Sequence, residues 1–298
     1  MKSSKIGGIF PALLTPFTKG GEKVDYDRAC GLADFLAKKG VHGLFVCGTT
    51  GEGPLMTLNE RKKVLEEVVA AVGKKVTVIA HTGCFDTAST IELTRHAQKA
   101  GAAAAGVVTP GFYTFDDECL YRHFKSVADS AKGFPILLYN IPGCVKNVIK
   151  PSLVHRLAKD VKNIIGMKDS GGSITAFNEM IMGVPKGFVA INGVDEYSMQ
   201  ALAVGGAGCV SSTANVVPEL FIAIYRSMKK GNLDKAWDSQ QKLCKACATF
   251  HYGALVARYK EGVRLRGFDP GYVRAPQREL TKDERKELAK NMKTAGLL

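Results

Sequence analysis

The chain has 298 residues, 46% of them hydrophobic and 23% charged, the range of an ordinary globular protein with a core of good size. Lys plus Arg exceed Asp plus Glu by 41 to 28, a net charge of +13, but the basic residues are scattered, and the densest groups, Arg61-Lys62-Lys63 and Lys229-Lys230, read as solvated helix faces. The excess is read as a general positive potential suited to anionic small molecules, and neither nucleic acid nor a membrane surface is expected as a partner.

The N-terminal stretch through Phe17 is apolar but broken by Pro11 and Pro16, which makes a poor signal peptide. No apolar run approaches the roughly 18 residues that span a bilayer. From there short apolar runs alternate with helical patterns. The runs predict strands over 9–14, 43–47, 76–80, 105–109, 135–139, 164–168, 188–192 and 208–212, apolar almost throughout, as parallel strands buried on both faces are. Between them, Thr57-Leu58-Asn59-Glu60 is a capping box, followed by Leu65, Val68 and Val72 at helical spacing; Leu120, Phe124 and Val127 repeat in the same way. After residue 230 the pattern is helical only, over 232–248, about 250–265, and 282–294 behind a second capping box, Thr281 to Glu284. Eight βα units in about 230 residues predict a (β/α)8 TIM barrel. A doubly wound open sheet is the alternative, but no glycine-rich dinucleotide fingerprint follows any strand. The expected organisation is a catalytic barrel over 1–230 with a C-terminal helical region, 231–298, packed on it.

Eight cysteines (30, 47, 84, 119, 144, 209, 244 and 247) lie mostly singly in apolar surroundings, which points to reduced thiols in the cytoplasm. Cys244-Lys245-Ala246-Cys247 has redox or zinc spacing, but without a second pair and in a helical context it reads as ordinary helix positions.

Reacting groups in such barrels project from the C-terminal ends of the strands. Those ends carry Gly48-Thr49-Thr50-Gly51-Glu52 after strand 2, Thr109 to Tyr113 after strand 4, Tyr139-Asn140-Ile141-Pro142 after strand 5 and Lys168-Asp169-Ser170 after strand 6. Lys168 follows Ile164-Ile165-Gly166-Met167 on a strand expected to be buried. Burial disfavours an ammonium ion and favours the neutral amine that attacks a carbonyl. Tyr139 lies one strand away at the same level, where its phenol can relay protons. The Gly-Thr-Thr-Gly turn offers the hydroxyls of Thr49 and Thr50, with backbone N–H groups around Gly51, to a carboxylate. Each of these has a plain structural reading when taken alone. The six histidines are scattered without ligand spacing, and no metal or organic cofactor is expected.

Taken together, the motifs at 48–52, 139–142 and 166–170 resemble the dihydrodipicolinate synthase/N-acetylneuraminate lyase family, over about residues 8–290. The resemblance implies a (β/α)8 barrel with a C-terminal helical region, usually homotetrameric, working without a cofactor through a pyruvate Schiff base. It implies that Lys168 is the imine-forming lysine, Tyr139 the proton-relaying tyrosine, and Thr49 and Thr50 the hydroxyl pair at the oxo-acid carboxylate. A further tyrosine, often lent by a neighbouring subunit from the loop after strand 4, falls on Phe112 in an ungapped match, so either Tyr113 substitutes or this relay is missing. The arginine with which the synthases grip the acceptor carboxylate falls on Cys144, with only Lys146 nearby. Gly193-Val194-Asp195-Glu196 instead resembles the sialic acid lyases, whose acidic pair binds sugar hydroxyls, and Ser212 matches another hydroxyl-binding position. Asp195 and Glu196 have an equal claim to be a cap of the following helix.

The expectation drawn from these residues is a Schiff-base aldolase or lyase that cleaves a 2-oxo-3-deoxy sugar acid to pyruvate and an aldehyde. Two alternatives stand beside it. One is 4-hydroxy-tetrahydrodipicolinate synthase, which condenses pyruvate with aspartate semialdehyde. The other, of a different class, is an inactive barrel that only binds a 2-oxo acid.

Overall fold

Eight parallel strands follow the eight apolar runs: β1 (Gly8–Pro11), β2 (Gly43–Val46), β3 (Thr77–His81), β4 (Ala104–Val108), β5 (Ile136–Asn140), β6 (Ile164–Asp169), β7 (Val189–Asn192) and β8 (Gly208–Ser211). The protein is described from a computed structural model covering residues 6–251 and 255–298. The strands pair in the order β1-β8-β7-β6-β5-β4-β3-β2. The ring closes between β1 and β2, where Ala12 bridges Phe45, the Leu13 amide donates to the Phe45 carbonyl at 2.9 Å, and the His42 amide donates to the Ile9 carbonyl at 3.0 Å. The architecture is therefore the expected TIM barrel. β1 is shorter than predicted: beyond Pro11 the backbone makes only single bonds to the neighbouring strands, from the Ala12 amide to the Ser211 carbonyl and from the Leu13 amide to the Phe45 carbonyl.

The helices on the outside are α1 (Tyr26–Lys38), α2 (Leu58–Val72), α3 (Thr87–Lys99), α4 (Asp117–Ser130), α5 (Pro151–Asp160), α6 (Ile174–Met182), α7 (Ser198–Ala203) and α8 (Pro218–Lys229). Three more follow as the C-terminal helical segment: α9 (Leu233–Thr249), α10 (Val256–Leu265) and α11 (Lys282–Thr294). Of the helix predicted over about 250–265, residues 252–254 lie outside the described residues. Both capping boxes form, with Thr57 and Thr281 each exchanging hydrogen bonds with the glutamate three residues on. All eight cysteines are free thiols, and Cys244 and Cys247 are helix positions in α9. Among the described residues no helix is long and apolar enough to cross a membrane.

Two cores result from the side-chain period of two along each strand. Outward residues such as Ile136, Leu138, Ile164 and Met167 pack against the helices. Inward residues, including Phe10, Phe45, Ile79, Leu137, Tyr139, Ile191 and Val210, fill the barrel. One basic residue departs from the sequence reading. Arg61 is not on a solvated face but buried, because its guanidinium reaches over the barrel rim to the carbonyls of His81 (2.8 Å) and Gly83 (3.2 Å). Its neighbours Lys62 and Lys63 do stay at the surface, pairing with Glu92 and lying over the Tyr26 ring.

The C-terminal segment is tied into the barrel by a buried ion pair. Lys260 of α10 lies 2.8 Å from Glu52, both side chains almost fully enclosed, and also donates to the carbonyls of Thr15 (2.7 Å) and Tyr272. The second Glu52 oxygen accepts from the Arg274 amide at 2.9 Å, while the Arg274 guanidinium grips both oxygens of Glu60 at 2.8 Å. Removing one partner of such a pair strands the other charge away from water. Lys260→Ala should therefore lower stability by about 3–5 kcal/mol in urea unfolding. A loss below about 1 kcal/mol would mean that the surrounding amide and carbonyls suffice without the ion pair.

Candidate active site

A cavity of about 410 Å³ opens at the C-terminal ends of the strands. Register explains what stands on its floor. Tyr139 of β5 is the direct neighbour of Lys168 of β6, and both point inward. Lys168 is only 5% exposed, with its Nζ 3.9 Å from the centre of the Tyr139 ring and 4.6 Å from that of Phe45. Among the described residues it has no carboxylate partner, since the adjacent Asp169 accepts instead from Asn140 (2.7 Å) and the Gly171 amide (3.1 Å). No carboxylate among these residues occupies the Lys168 Nζ, which lines the cavity where an entering carbonyl can reach it. Gly193 supplies the remaining room. A Cβ there would lie 2.1 Å from the Ser170 hydroxyl and 3.2 Å from Cε of Lys168.

The Gly-Thr-Thr-Gly loop reaches over this floor between two residues held in the left-handed region, Cys47 (φ 59°) and Glu52 (φ 54°). A non-glycine residue there is strained and persists only when its surroundings hold it. The Glu52–Lys260 pair provides that hold at one end. Thr49 Oγ1 approaches the Tyr139 hydroxyl to 3.5 Å, a long contact of the kind that tightens on substrate binding. The Thr50 hydroxyl bonds Ser212 at 2.6 Å, so the two threonines serve opposite sides of the cavity. Gly51 does not line it. Its carbonyl accepts from Thr15 at 2.6 Å, and a Cβ would strike the Leu13 carbonyl, so glycine is needed for packing of the turn.

The third side carries Asp195 and Glu196, in a short 3-10 turn after β7. They do not cap α7, whose N-terminus has no side-chain cap. Asp195 Oδ2 instead accepts from Ser211 at 2.9 Å and from the Cys247 thiol at 3.8 Å. Burial pushes the Asp195 carboxyl up to about 6, with the Glu196 charge adding to the shift and the hydroxyls of Thr213 and Ser211 opposing it. Cys144 and Gly143 line the cavity where an acceptor-binding arginine was expected to be missing, and Lys146 points elsewhere. Tyr113 and Phe112 also lie away from it, 67% and 76% exposed.

Some lining residues carry no sequence signal. Thr213, Cys247, Val256 and Tyr259 close the wall beside Asp195, three of them from helices folded back from beyond the last strand. His81 was within reach of pattern reading, since Ile79 points inward and His81 is two residues on. Its ring stands edge-on to Tyr139 at 5.6 Å, and burial, aided by the charges of Arg61 and Lys168, keeps it well below the usual histidine range.

A barrel with a buried strand-end lysine set against a phenol defines the class of Schiff-base aldolases. The chain belongs to the dihydrodipicolinate synthetase family, whose family model matches residues 5–295. It is 33% identical over 294 residues to the 4-hydroxy-tetrahydrodipicolinate synthase of Methanopyrus kandleri, covering 99% of this chain and 98% of that one. The Rhizobium meliloti protein of the same name is 42% identical over 238 residues, 79% of this chain and 80% of that one. Among solved structures, YagE, a prophage protein of this family from E. coli K12 in complex with pyruvate, superposes with a TM-score of 0.94 at 31% identity, covering 98% and 99% of the two chains. The protein is accordingly a carbon–carbon lyase of the class I, Schiff-base type, and the inactive binding barrel is set aside.

The raised carboxyl of Asp195 has a consequence for stability. Its folded value, about 6, lies above the ordinary aspartate value of about 3.9, so the folded state holds this proton more tightly. The resulting contribution is present below about pH 4 and is lost as pH rises through 4–6. Asp195→Asn escapes that loss. It should be more stable than the unsubstituted protein by about 1–3 kcal/mol at pH 7–8, a gain that fades below pH 4. Melting curves at both ends of the range check this, and an equal difference at pH 4 and pH 8 would contradict it.

Proposed function

We propose that the protein is a pyruvate-dependent aldolase in which Lys168 forms the imine and Tyr139 moves the protons, acting on a hydroxyl-bearing acceptor such as the aldehyde half of a 2-oxo-3-deoxy sugar acid. The amine of Lys168 attacks the C2 carbonyl, and loss of water leaves an iminium that draws electrons from the C3–C4 bond. Tyr139, linked to Thr49, takes the proton of the C4 hydroxyl as that bond breaks. The aldehyde leaves, and the enamine is protonated and hydrolysed to pyruvate. The observation that carries the mechanism is the Lys168 Nζ, 3.9 Å over the Tyr139 ring on the floor of the cavity. Sodium borohydride with pyruvate should leave one stable adduct, on Lys168. Tyr139→Phe should still trap pyruvate but turn over on the order of 10²–10⁴ times more slowly. An adduct on another lysine, or a Tyr139→Phe variant within twofold of the unsubstituted enzyme, would sink the assignment.

The acceptor is read from the lining. Among the described residues that line the cavity there is no arginine, and Lys168 is the one lysine, whereas Asp195, Glu196, Ser212 and Thr213 offer partners to hydroxyls. A second reading, 4-hydroxy-tetrahydrodipicolinate synthase, is favoured by the names of both sequence relatives above, and those names weigh more for it than for sugar-acid cleavage. Against it, an acceptor carboxylate would sit without a charge-assisted bond. By that measure kcat/KM for aspartate semialdehyde should fall about 10–100-fold below that for a 2-oxo-3-deoxy sugar acid. Measuring both settles the choice, and the opposite order would establish the synthase.

The same reading includes a homotetramer in the cytoplasm. Eight unpaired thiols suit a reducing compartment. Phe85, Phe112 and Tyr113 form one exposed aromatic patch beside Gly111, at 71%, 76% and 67% exposure, which suits a contact between copies that brings Tyr113 toward a neighbour's site. Light scattering should give four chains, and Phe112→Asp should lower both the mass and the turnover. A fully active monomer would exclude the shared site.

A further inference from the structure

Helix α9 touches the acidic turn of the cavity at three points along one face. Gln240, fully buried, donates from Nε2 to the carbonyls of Asp195 (2.9 Å) and Glu196 (3.1 Å), and its Oε1 accepts from the Met199 amide at 2.9 Å. One helical turn on, the Cys244 thiol meets the Glu196 carbonyl at 3.7 Å. A further turn on, Cys247, also buried and lining the cavity, meets the Asp195 carboxyl itself. Ser211 and Cys247 both donate to one oxygen of that carboxyl, Oδ2. Thr213, also buried, lies in the same wall.

Two donors on one oxygen fix the rotation of a carboxyl group. The other oxygen, Oδ1, then keeps its capacity for a hydroxyl arriving through the cavity. We propose that α9 is the acceptor-selecting element of this enzyme, with Cys247 and Gln240 as positioning residues that hold Asp195 ready to bind a hydroxyl group of the incoming aldehyde. This rests on the hydroxyl-bearing acceptor proposed above. A thiol suits the place. It is a weak donor that orients the carboxyl without neutralising it, and it is small enough to leave the wall open.

The test compares two aldehydes of three carbons, glyceraldehyde with its two extra hydroxyls and propanal with none, each condensed with pyruvate by the full chain. Cys247→Val keeps the approximate volume and removes the donor; Cys247→Ser restores a donor. Gln240→Leu would strand the Met199 amide and remove a bond from each of two carbonyls, endangering the fold, so Cys247 carries the experiment, with Cys247→Ala as the second variant should valine fail to fold. Borohydride labelling of Lys168 with pyruvate reports that each variant has an intact site. The expected result is a loss of about fivefold to tenfold in kcat/KM for glyceraldehyde relative to propanal in Cys247→Val, borne mainly by KM, with serine recovering most of it. A glyceraldehyde-to-propanal ratio within twofold of the unsubstituted enzyme overturns the proposal. An equal loss on both aldehydes does so too, because it marks a general packing role. If the unsubstituted enzyme itself shows no preference for glyceraldehyde, it is the reading of the acceptor that fails.

Discussion

In a closed parallel barrel each strand residue has two directions available, and the pairing of β5 with β6 gives Tyr139 and Lys168 the same one. Everything at the site depends on that register. A slip of one residue would turn the amine or the phenol out against the helices, where Ile136, Leu138 and Met167 now pack. Because neighbouring residues in register lie at one height, the amine rests on the face of the phenol ring, with the Phe45 ring as its second support. The side chains that fill the barrel thus also support the amine from below.

The polar part of the site is assembled at a cost to stability. Cys47 and Glu52 take left-handed backbone, Asp195 is kept among donors too weak to offset its burial, and Glu52 and Lys260 are both removed from water. Cys47 and Glu52 flank the loop that carries Thr49 and Thr50, and Asp195 lines the cavity itself. Proteins commonly store strain and unfavourable charge where they act. The ion pair shows how the strain is contained, since it fastens the Thr49–Thr50 loop at its second left-handed residue.

Alternation of apolar runs with helical stretches was enough to reveal the eight strands, because buried parallel strands are apolar on both faces. The position of Lys168 after such a run, and of Tyr139 at the end of its neighbour, made the proposed pair visible for the same reason. The loop residues were less legible. Gly51 could be taken for a substrate contact because a glycine that serves packing looks, in sequence, like a glycine that serves binding. Arg61 was misread since two exposed lysines follow it, and nothing local shows that its side chain crosses the rim to His81. Cys247, Val256 and Tyr259 were out of reach altogether. Their place at the cavity depends on how α9 and α10 fold back, a matter of tertiary packing that no local periodicity encodes.

The tie between Glu52 and the C-terminal segment bears on the order of events during synthesis. Lys260 and Arg274 are separated from Glu52 by 208 and 222 residues, and both come after the eighth strand. A chain on the ribosome can pair its eight strands before either exists, but its Thr49–Thr50 loop then lacks the partner that fastens it. Closing a loop of that length carries an entropic cost that the contacts made there must offset. During synthesis Lys168 can thus be in place on its strand before the loop that carries Thr49 and Thr50 has its fastening.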